Sequence, residues 1–210
     1  MTVPATQRPI ILIAGNIASG KTTLARVLAA EFGVPHAAES WADNPFFEGY
    51  YQDPQRWALH THLHFLVTSA SAYRVLVRSG AGGVQDRGPQ EMNAIFGREL
   101  VAQGRLEAPA GELCHQLVGM LLADLPSPDL LILLECSVDT LLARAKTRGR
   151  SGETLDHEYV SGLAASYRRF ADDWVESPIV RVDTGLRDVR KPAVFGSLVS
   201  EVRRALQHQS

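Results

Sequence analysis

The sequence predicts an α/β domain: a doubly wound, five-stranded parallel sheet with helices on both faces. Three observations carry this. Five short apolar runs, at 10–15, 34–38, 82–86, 130–136 and 179–183, are separated by longer stretches with helical periodicity, the alternation that yields a parallel sheet wrapped by crossover helices. The run 130–136, LLILLEC, is nearly continuous in aliphatics, as a strand covered on both faces has to be. The length, 210 residues, suits one domain, 1–210, on a prior of about 150 residues per domain, and is enough to bury a core without disulfides or structural metal.

Taken in order, IILIAG (10–15) reads as a buried strand. KTTLARVLAAEF (21–32) reads as a helix with Leu24, Val27, Leu28 and Phe32 on one face. VPHAA (34–38) is a weak strand. From Pro54 a long helix runs to Gly80: proline supplies the φ of a first helical turn and glycine the left-handed stop. GGVQD (82–86) is a short strand. Residues 89–125 hold two helices with EAPAG at their boundary. LLILLEC is followed by helices at 139–147 and 157–174, IVRVD (179–183) is the last strand, and 192–207 the last helix.

Composition narrows the partners. With 21 Lys and Arg against 23 Asp and Glu, net charge −2, the chain lacks the basic surface that nucleic-acid or anionic-membrane binding draws on. It is 45% hydrophobic and 21% charged, which is not the composition of a disordered chain. Cys114 and Cys136 sit in apolar runs and read as small buried hydrophobes. No stretch approaches the roughly 18 to 20 apolar residues of a membrane span, and MTVPATQRPI has no signal-peptide order. A soluble, cytoplasmic protein is expected.

Ligands of doubly wound sheets bind beyond the carboxyl ends of the strands. The first strand runs directly into Gly15-Asn16-Ile17-Ala18-Ser19-Gly20-Lys21-Thr22, a match to GxxxxGK[ST]. The glycines let backbone N–H groups turn inward onto phosphate oxygens, and the next helix adds its positive end. Lys21 would neutralise β- and γ-phosphates, and the Thr22 hydroxyl would bind Mg²⁺, with Thr23 beside it in the same run. This makes the fold a P-loop type and the donor a nucleoside triphosphate.

The acceptor must be read elsewhere. No NKxD base reader and no DxxG switch is present, which argues against a guanine-nucleotide switch. Between Gly33 and Tyr73 there is one basic residue, Arg56, against Glu39, Asp43, Glu48 and Asp53. An acceptor already carrying phosphate would need several arginines or lysines there, so a neutral acceptor with a free hydroxyl is favoured. The same segment holds eight of the chain's fifteen aromatics, Trp41, Tyr51 and Phe65 among them. Such faces stack on a nucleobase, or else fill a core beside the long helix. His60 and His64 share a helix face while His62 points away, with no carboxylate at local spacing, so a metal site there is not expected.

Glu39, just after the second strand, would lie opposite the P-loop, where a carboxylate can take the proton of an attacking hydroxyl. A solvated loop position is the competing reading. In 144–153, RAKTRGRSGE, the basic residues Arg144, Lys146, Arg148 and Arg150 could fold over the triphosphate as a lid, about 144–156, with Gly149 and Gly152 as its flexible points. The rival is a solvated basic helix face.

The run GNIASGKTT, then Glu39, NPFFEGYYQDPQRWAL, Asp86-Arg87-Gly88 and RAKTRGRSGE resembles the deoxynucleoside kinase family over about 15–183. The resemblance implies ATP:nucleoside 5′-phosphotransfer by a homodimer. It makes Lys21 and Thr22 the phosphate and Mg²⁺ residues and Glu39 the catalytic base. Asp86 is the acid near Mg²⁺, Arg87 the arginine that holds the base and the 5′-oxygen, and Arg144, Arg148 and Arg150 are the lid arginines. Tyr51 and Glu153 would bind the sugar 3′-hydroxyl, with the tyrosine ring crowding C2′. The departures fall in the base pocket. His62 stands where the family has a base-reading glutamine. Ser69 and Met92 stand where purine and cytosine kinases carry an arginine and an aspartate, and Gly88 replaces a serine. Two alternatives stay open at this point. One is a kinase of the same scaffold acting on a modified nucleoside or another hydroxylated aromatic metabolite; the other is a nucleotide-binding protein without turnover.

Overall fold

Five strands, β1 (Ile10–Gly15), β2 (His36–Ala37), β3 (Gly83–Asp86), β4 (Leu130–Glu135) and β5 (Ile179–Asp183), form one all-parallel sheet in the order β2-β3-β1-β4-β5. The structure, a computed structural model, describes residues 8–39, 41–150, 153 and 155–207. Of the proposed lid, residues 151, 152 and 154 lie outside the described residues, as do 1–7 and 208–210 of the single-domain span.

The strands alternate their side chains between two cores. Ile11 and Ile13 of β1 with Leu130, Ile132 and Leu134 of β4 pack against α1 (Lys21–Phe32) and α9 (Pro192–Gln207) on one face. Ile10, Leu12 and Ala14 with Leu131 and Leu133 pack against α3 (Pro54–Ser79) and α8 (His157–Asp172) on the other. Period-two side-chain alternation sends neighbouring residues to opposite faces, and both faces are apolar because both are covered. Each buried aliphatic contributes roughly 1.5 to 3 kcal/mol by leaving water.

Most expected elements are present, with instructive differences. The second strand is two residues long, because β2 is an edge that pairs only with β3, through His36–Val84 and Ala37–Gln85. A short helix not anticipated from the sequence, α2 (Phe47–Gln52), precedes α3; Asn44 accepts from the Phe46 amide at 3.0 Å and donates to the Thr61 carbonyl at 3.1 Å, tying the two helices. The first helix of 89–125 runs as α4 (Pro89–Glu91), a π-helical segment (Met92–Gly97) and α5 (Arg98–Ala102). Then α6 (Ala108–Leu122) begins inside EAPAG, since Pro109 sits in its first turn, where a missing N–H costs nothing. After β4 comes α7 (Val138–Arg148). Cys114 is buried as expected, whereas Cys136 is only partly so, because it lies just past the end of β4 where the core gives way to loops.

Chain order places β1 centrally, flanked by β3 on one side and β4 on the other. The connection from β3 to β4 crosses over β1, so the crevice opens beyond Gly15, at the switch in winding direction.

Candidate active site

The loop after β1 is shaped by residues in left-handed or otherwise glycine-like conformations. Gly15 has φ +151°, and a Cβ there would lie 2.8 Å from the Leu134 carbonyl oxygen, so only glycine fits against β4. Gly20 (φ 102°) and Ala18 (φ 61°) complete the turn, which leads directly into α1, whose free N-terminal amides favour anions. Lys21 folds back along the loop, its Nζ donating to the carbonyls of Gly15 at 2.8 Å and Asn16 at 3.0 Å. Burial, with Arg87 adding to it, pulls the Lys21 ammonium down to about 8.

Strand register carries the next residues to the same place. Ile13 pairs with Asp86, setting the end of β3 beside the end of β1. Asp86 accepts from the Thr22 hydroxyl through Oδ2, while its Oδ1 is buried without a hydrogen-bond partner. Hydroxyl and carboxylate oxygens are hard donors of the kind Mg²⁺ prefers, and the unmatched Oδ1 leaves capacity for it. Among the described residues no group of three or more His, Cys, Asp or Glu could hold a metal.

Arg87 comes next in a left-handed conformation, φ 66°, which aims its side chain at the crevice. Its Nε donates to Glu39 Oε2 at 3.0 Å, its Nη1 to Glu91 Oε1 at 3.0 Å, and the Tyr167 oxygen is 3.0 Å from the same Nη1. The guanidinium lies 4.4 Å above the Phe96 ring. Burial pushes the Glu39 carboxyl up, but Arg87 and Lys21 outweigh it and hold Glu39 below its ordinary range. Gly88 next to it packs against the Leu12 side chain, whose Cδ1 a Cβ would approach to 2.7 Å.

One cavity of about 800 Å³ joins these groups. Residues 17–23, Glu39, Tyr51, His62, Phe65, Arg87, Met92, Arg144, Arg148, Arg150 and Glu153 line it. Gly15 and Asn16 lie behind the loop: the Gly15 amide faces Glu91, and Asn16 donates to the Val160 carbonyl at 3.0 Å. Asp86 is buried behind Thr22, to which it is bonded, rather than lining the cavity itself. Trp41 is beside the cavity, its ring 4.6 Å under the Arg150 guanidinium. Trp41 therefore stacks on Arg150 and is not among the residues that line the cavity.

The cavity has two ends. At one end, α2, α3, the π-helical segment and α8 supply Phe47, Tyr50, Phe65, Met92, Phe96 and Tyr159. His62 is 2% exposed there, with Nε2 unpartnered; burial lowers it to about 4, so the ring is neutral. A Cβ on Gly97 would approach that Nε2 to 2.8 Å, so the glycine makes room for the imidazole. Between the two ends Glu153, whose charge acts on the Tyr51 hydroxyl, pairs with Arg148 and lies 3.9 Å from Arg150, and the other end is lined by Arg144 and the loop after β5. Arg144 donates to the hydroxyl and carbonyl of Thr184 at 3.1 and 2.7 Å, and the Thr184 hydroxyl lies 3.1 Å from the Ser19 carbonyl.

The sequence reading missed the loop 184–191 after β5, which lines the cavity; the rule about strand carboxyl ends pointed to it. It also missed Glu91 and Tyr167, whose placement no local pattern reveals.

A P-loop and a carboxylate–arginine pair opening into one cavity define a P-loop phosphotransferase with a hydroxyl acceptor. The chain belongs to the deoxynucleoside kinase family, whose model matches residues 11–207. It is 28% identical over 176 residues to the deoxyadenosine/deoxycytidine kinase of Bacillus subtilis, covering 82% of this chain and 81% of that one. It is 30% identical over 175 residues to the deoxyadenosine kinase of Dictyostelium discoideum, covering 82% and 71%. Its fold matches the solved deoxyadenosine kinase of M. mycoides with bound dATP, TM-score 0.80 at 23% identity, over 92% of this chain and 98% of that one. No described helix is long and apolar enough to cross a membrane.

Proposed function

We propose that the protein transfers the γ-phosphoryl group of ATP to the 5′-hydroxyl of a deoxynucleoside. The observation that carries this is the contact between Glu39 and Arg87, 3.0 Å apart, in the cavity that also contains Lys21. A base for the acceptor and a cation for the donor phosphates thus share one space.

The triphosphate lies along residues 15–23, its oxygens on loop amides, with Lys21 turning from the loop carbonyls to the β- and γ-phosphates. The acceptor's base enters among the aromatics of α2 and α3, and its sugar sits by Tyr51 and Glu153. Glu39 accepts the 5′-hydroxyl proton as that oxygen bonds to the γ-phosphorus. The bond from phosphorus to the β–γ bridging oxygen breaks, and ADP carries that oxygen away. Arg87 holds the 5′-oxygen and orients Glu39. Arg148 and Arg150, on the lid 144–156, stabilise the charge on the transferring group. Thr22 and Asp86 would hold Mg²⁺, which supplies charge neutralisation at the phosphates.

A homodimer is supported by an apolar surface: Val67 and Val75 on α3, Leu113 and Met120 on α6 are exposed, and α3 packs beside α6. Exposed apolar side chains on two neighbouring helices are what contact with a second copy would cover. The test of the activity is ADP release with Mg²⁺, ATP and a panel of nucleosides and non-nucleoside alcohols. Acceptor-dependent release with deoxynucleosides is expected, and equal release without acceptor would overturn the assignment.

A further inference from the structure

Glu91 takes no part in the proposed transfer, yet it is among the most buried charged groups, 2% exposed, on α4 facing the end of β1. Its Oε1 receives three donors: Arg87 Nη1 at 3.0 Å, the Tyr167 hydroxyl, and the Gly15 amide at 3.4 Å. Its Oε2 is buried and unpartnered. A buried carboxylate is costly unless its environment compensates it; burial pushes the Glu91 carboxyl up, and Arg87, Lys21, the Tyr167 hydroxyl and the Gly15 amide, from both functional halves, offset this in part.

Gly15 is held from both sides. Its amide faces Glu91 and its carbonyl accepts from Lys21 at 2.8 Å. Arg87 is also held from both sides, by Glu91 on Nη1 and by Glu39 on Nε. The contacts form an unbroken chain, Lys21–Gly15–Glu91–Arg87–Glu39, from the phosphate-binding lysine to the acceptor-side carboxylate. Helix α8 braces it twice, through the Val160 carbonyl on Asn16 and through the Tyr167 hydroxyl.

We infer that Glu91 is a positioning residue that couples the donor and acceptor halves of the site, so that each ligand tightens the binding of the other. This rests on the phosphotransfer reading of the same cavity. To reach phosphate oxygens, Lys21 has to release the carbonyls of Gly15 and Asn16. The Gly15 backbone has little room to move sideways, since it pairs with Leu134 in the sheet and even a Cβ on it would lie 2.8 Å from the Leu134 carbonyl oxygen. The adjustment passes to its other tie, Glu91, and from there to the guanidinium that orients Glu39. The ligand that binds first bears the cost of fixing this chain, and the second binds to a chain already fixed, which is positive coupling. Contiguous hydrogen-bonded groups are the physical medium such coupling needs.

The test is calorimetric, with 2′-deoxyadenosine and the β,γ-imido analogue of ATP in Mg²⁺ as probes. Each dissociation constant is measured with and without the other ligand, and the two factors must agree by linkage. At least about fivefold tightening is expected in the unaltered enzyme and less than about twofold in Glu91→Gln, which keeps the shape but removes the charge. A purely structural role would weaken both affinities and lower Tm while leaving the factor unchanged. Tyr167→Phe, which keeps the carboxylate and removes one donor, should give an intermediate factor; it decides the matter if the Gln variant does not fold. A factor below about twofold in the unaltered enzyme, or one retained in the variants, overturns the inference. If the enzyme binds neither probe, the phosphotransfer reading fails and takes this one with it, a result distinct from binding without coupling.

Discussion

The hydroxyl of Ser69, on α3, donates to the carbonyl oxygen of Arg87 at 2.9 Å. Gln85 Nε2 reaches the same carbonyl at 3.3 Å and the Ser69 hydroxyl at 3.0 Å. Arg87 has φ 66°, a conformation that non-glycine residues hold only where their surroundings over-determine it. Ser69 therefore fixes the backbone of the site's central arginine and does not face the base. Ser69→Ala should cost about 1 kcal/mol of stability in urea unfolding, while the ratio of purine to pyrimidine kcat/KM stays within about twofold. A tenfold change in that ratio would put Ser69 in the base pocket.

Glu39→Gln keeps the shape of the side chain and removes a proton acceptor. The expected loss in kcat is about 10² to 10⁴-fold with ATP binding unchanged, and a loss below about tenfold would take Glu39 out of the base role. Because Arg87 and Lys21 hold the Glu39 carboxyl below its ordinary range against the effect of burial, the base is ionised at neutral pH. Turnover should stay level as pH falls from about 7 to about 5, above the carboxylate range.

The sugar site makes a separate prediction. Tyr51 lines the cavity with its ring 5.3 Å from that of Phe47, and Glu153 lines the same cavity. If Tyr51 closes off the 2′ position and Glu153 holds the 3′-hydroxyl, deoxyribonucleosides should exceed the matching ribonucleosides in kcat/KM, and 2′,3′-dideoxy analogues should be poor substrates. Equal use of ribonucleosides would remove this pair from the sugar.

Base selectivity should be weak. A neutral imidazole offers one donor and one acceptor pointing apart, so His62 cannot make the side-by-side pair of hydrogen bonds that a glutamine makes, and Met92 adds only apolar surface. The best purine and best pyrimidine deoxynucleosides are expected to differ by less than about 100-fold in kcat/KM, with His62→Gln sharpening the preference. Preference for one natural base by about 10⁴-fold would reveal another reader.

His62 also predicts an acid limit to stability. Burial lowers its pKa from 6.5 to about 4 in the folded protein, so between those values the unfolded chain binds the proton and the folded one does not. Stability then falls as pH drops from 6.5 toward 4, by up to roughly 3 kcal/mol from this group. His62→Phe should flatten that part of the profile in urea unfolding at pH 7 and pH 5; an unchanged slope would mean the ring is not held neutral.

Local order settled much of this protein. The five strands, the long helix from Pro54 and the turn at Gly15–Thr22 were legible because each is set by neighbours in the chain: side-chain period, proline and glycine at helix ends, and a glycine-rich turn between strand and helix. Glu39 and the arginines of 144–150 could be named as candidates by residue type and order, and Arg87 by the family resemblance, and they do share one cavity. What the chain order could not give was which way a side chain turns and what it meets. Trp41 turned under Arg150, Ser69 turned to the Arg87 backbone, and α2 formed where Asn44 bridges to α3. Glu91 became the link between Gly15, Arg87 and Tyr167, the loop after β5 came round to close the donor end, and His62 lost its water beside Gly97. These are contacts between segments far apart in sequence, fixed only when the strand order β2-β3-β1-β4-β5 and the packing of α3 and α8 bring them together. Periodicity specifies which face of an element is buried, and tertiary packing alone specifies against what.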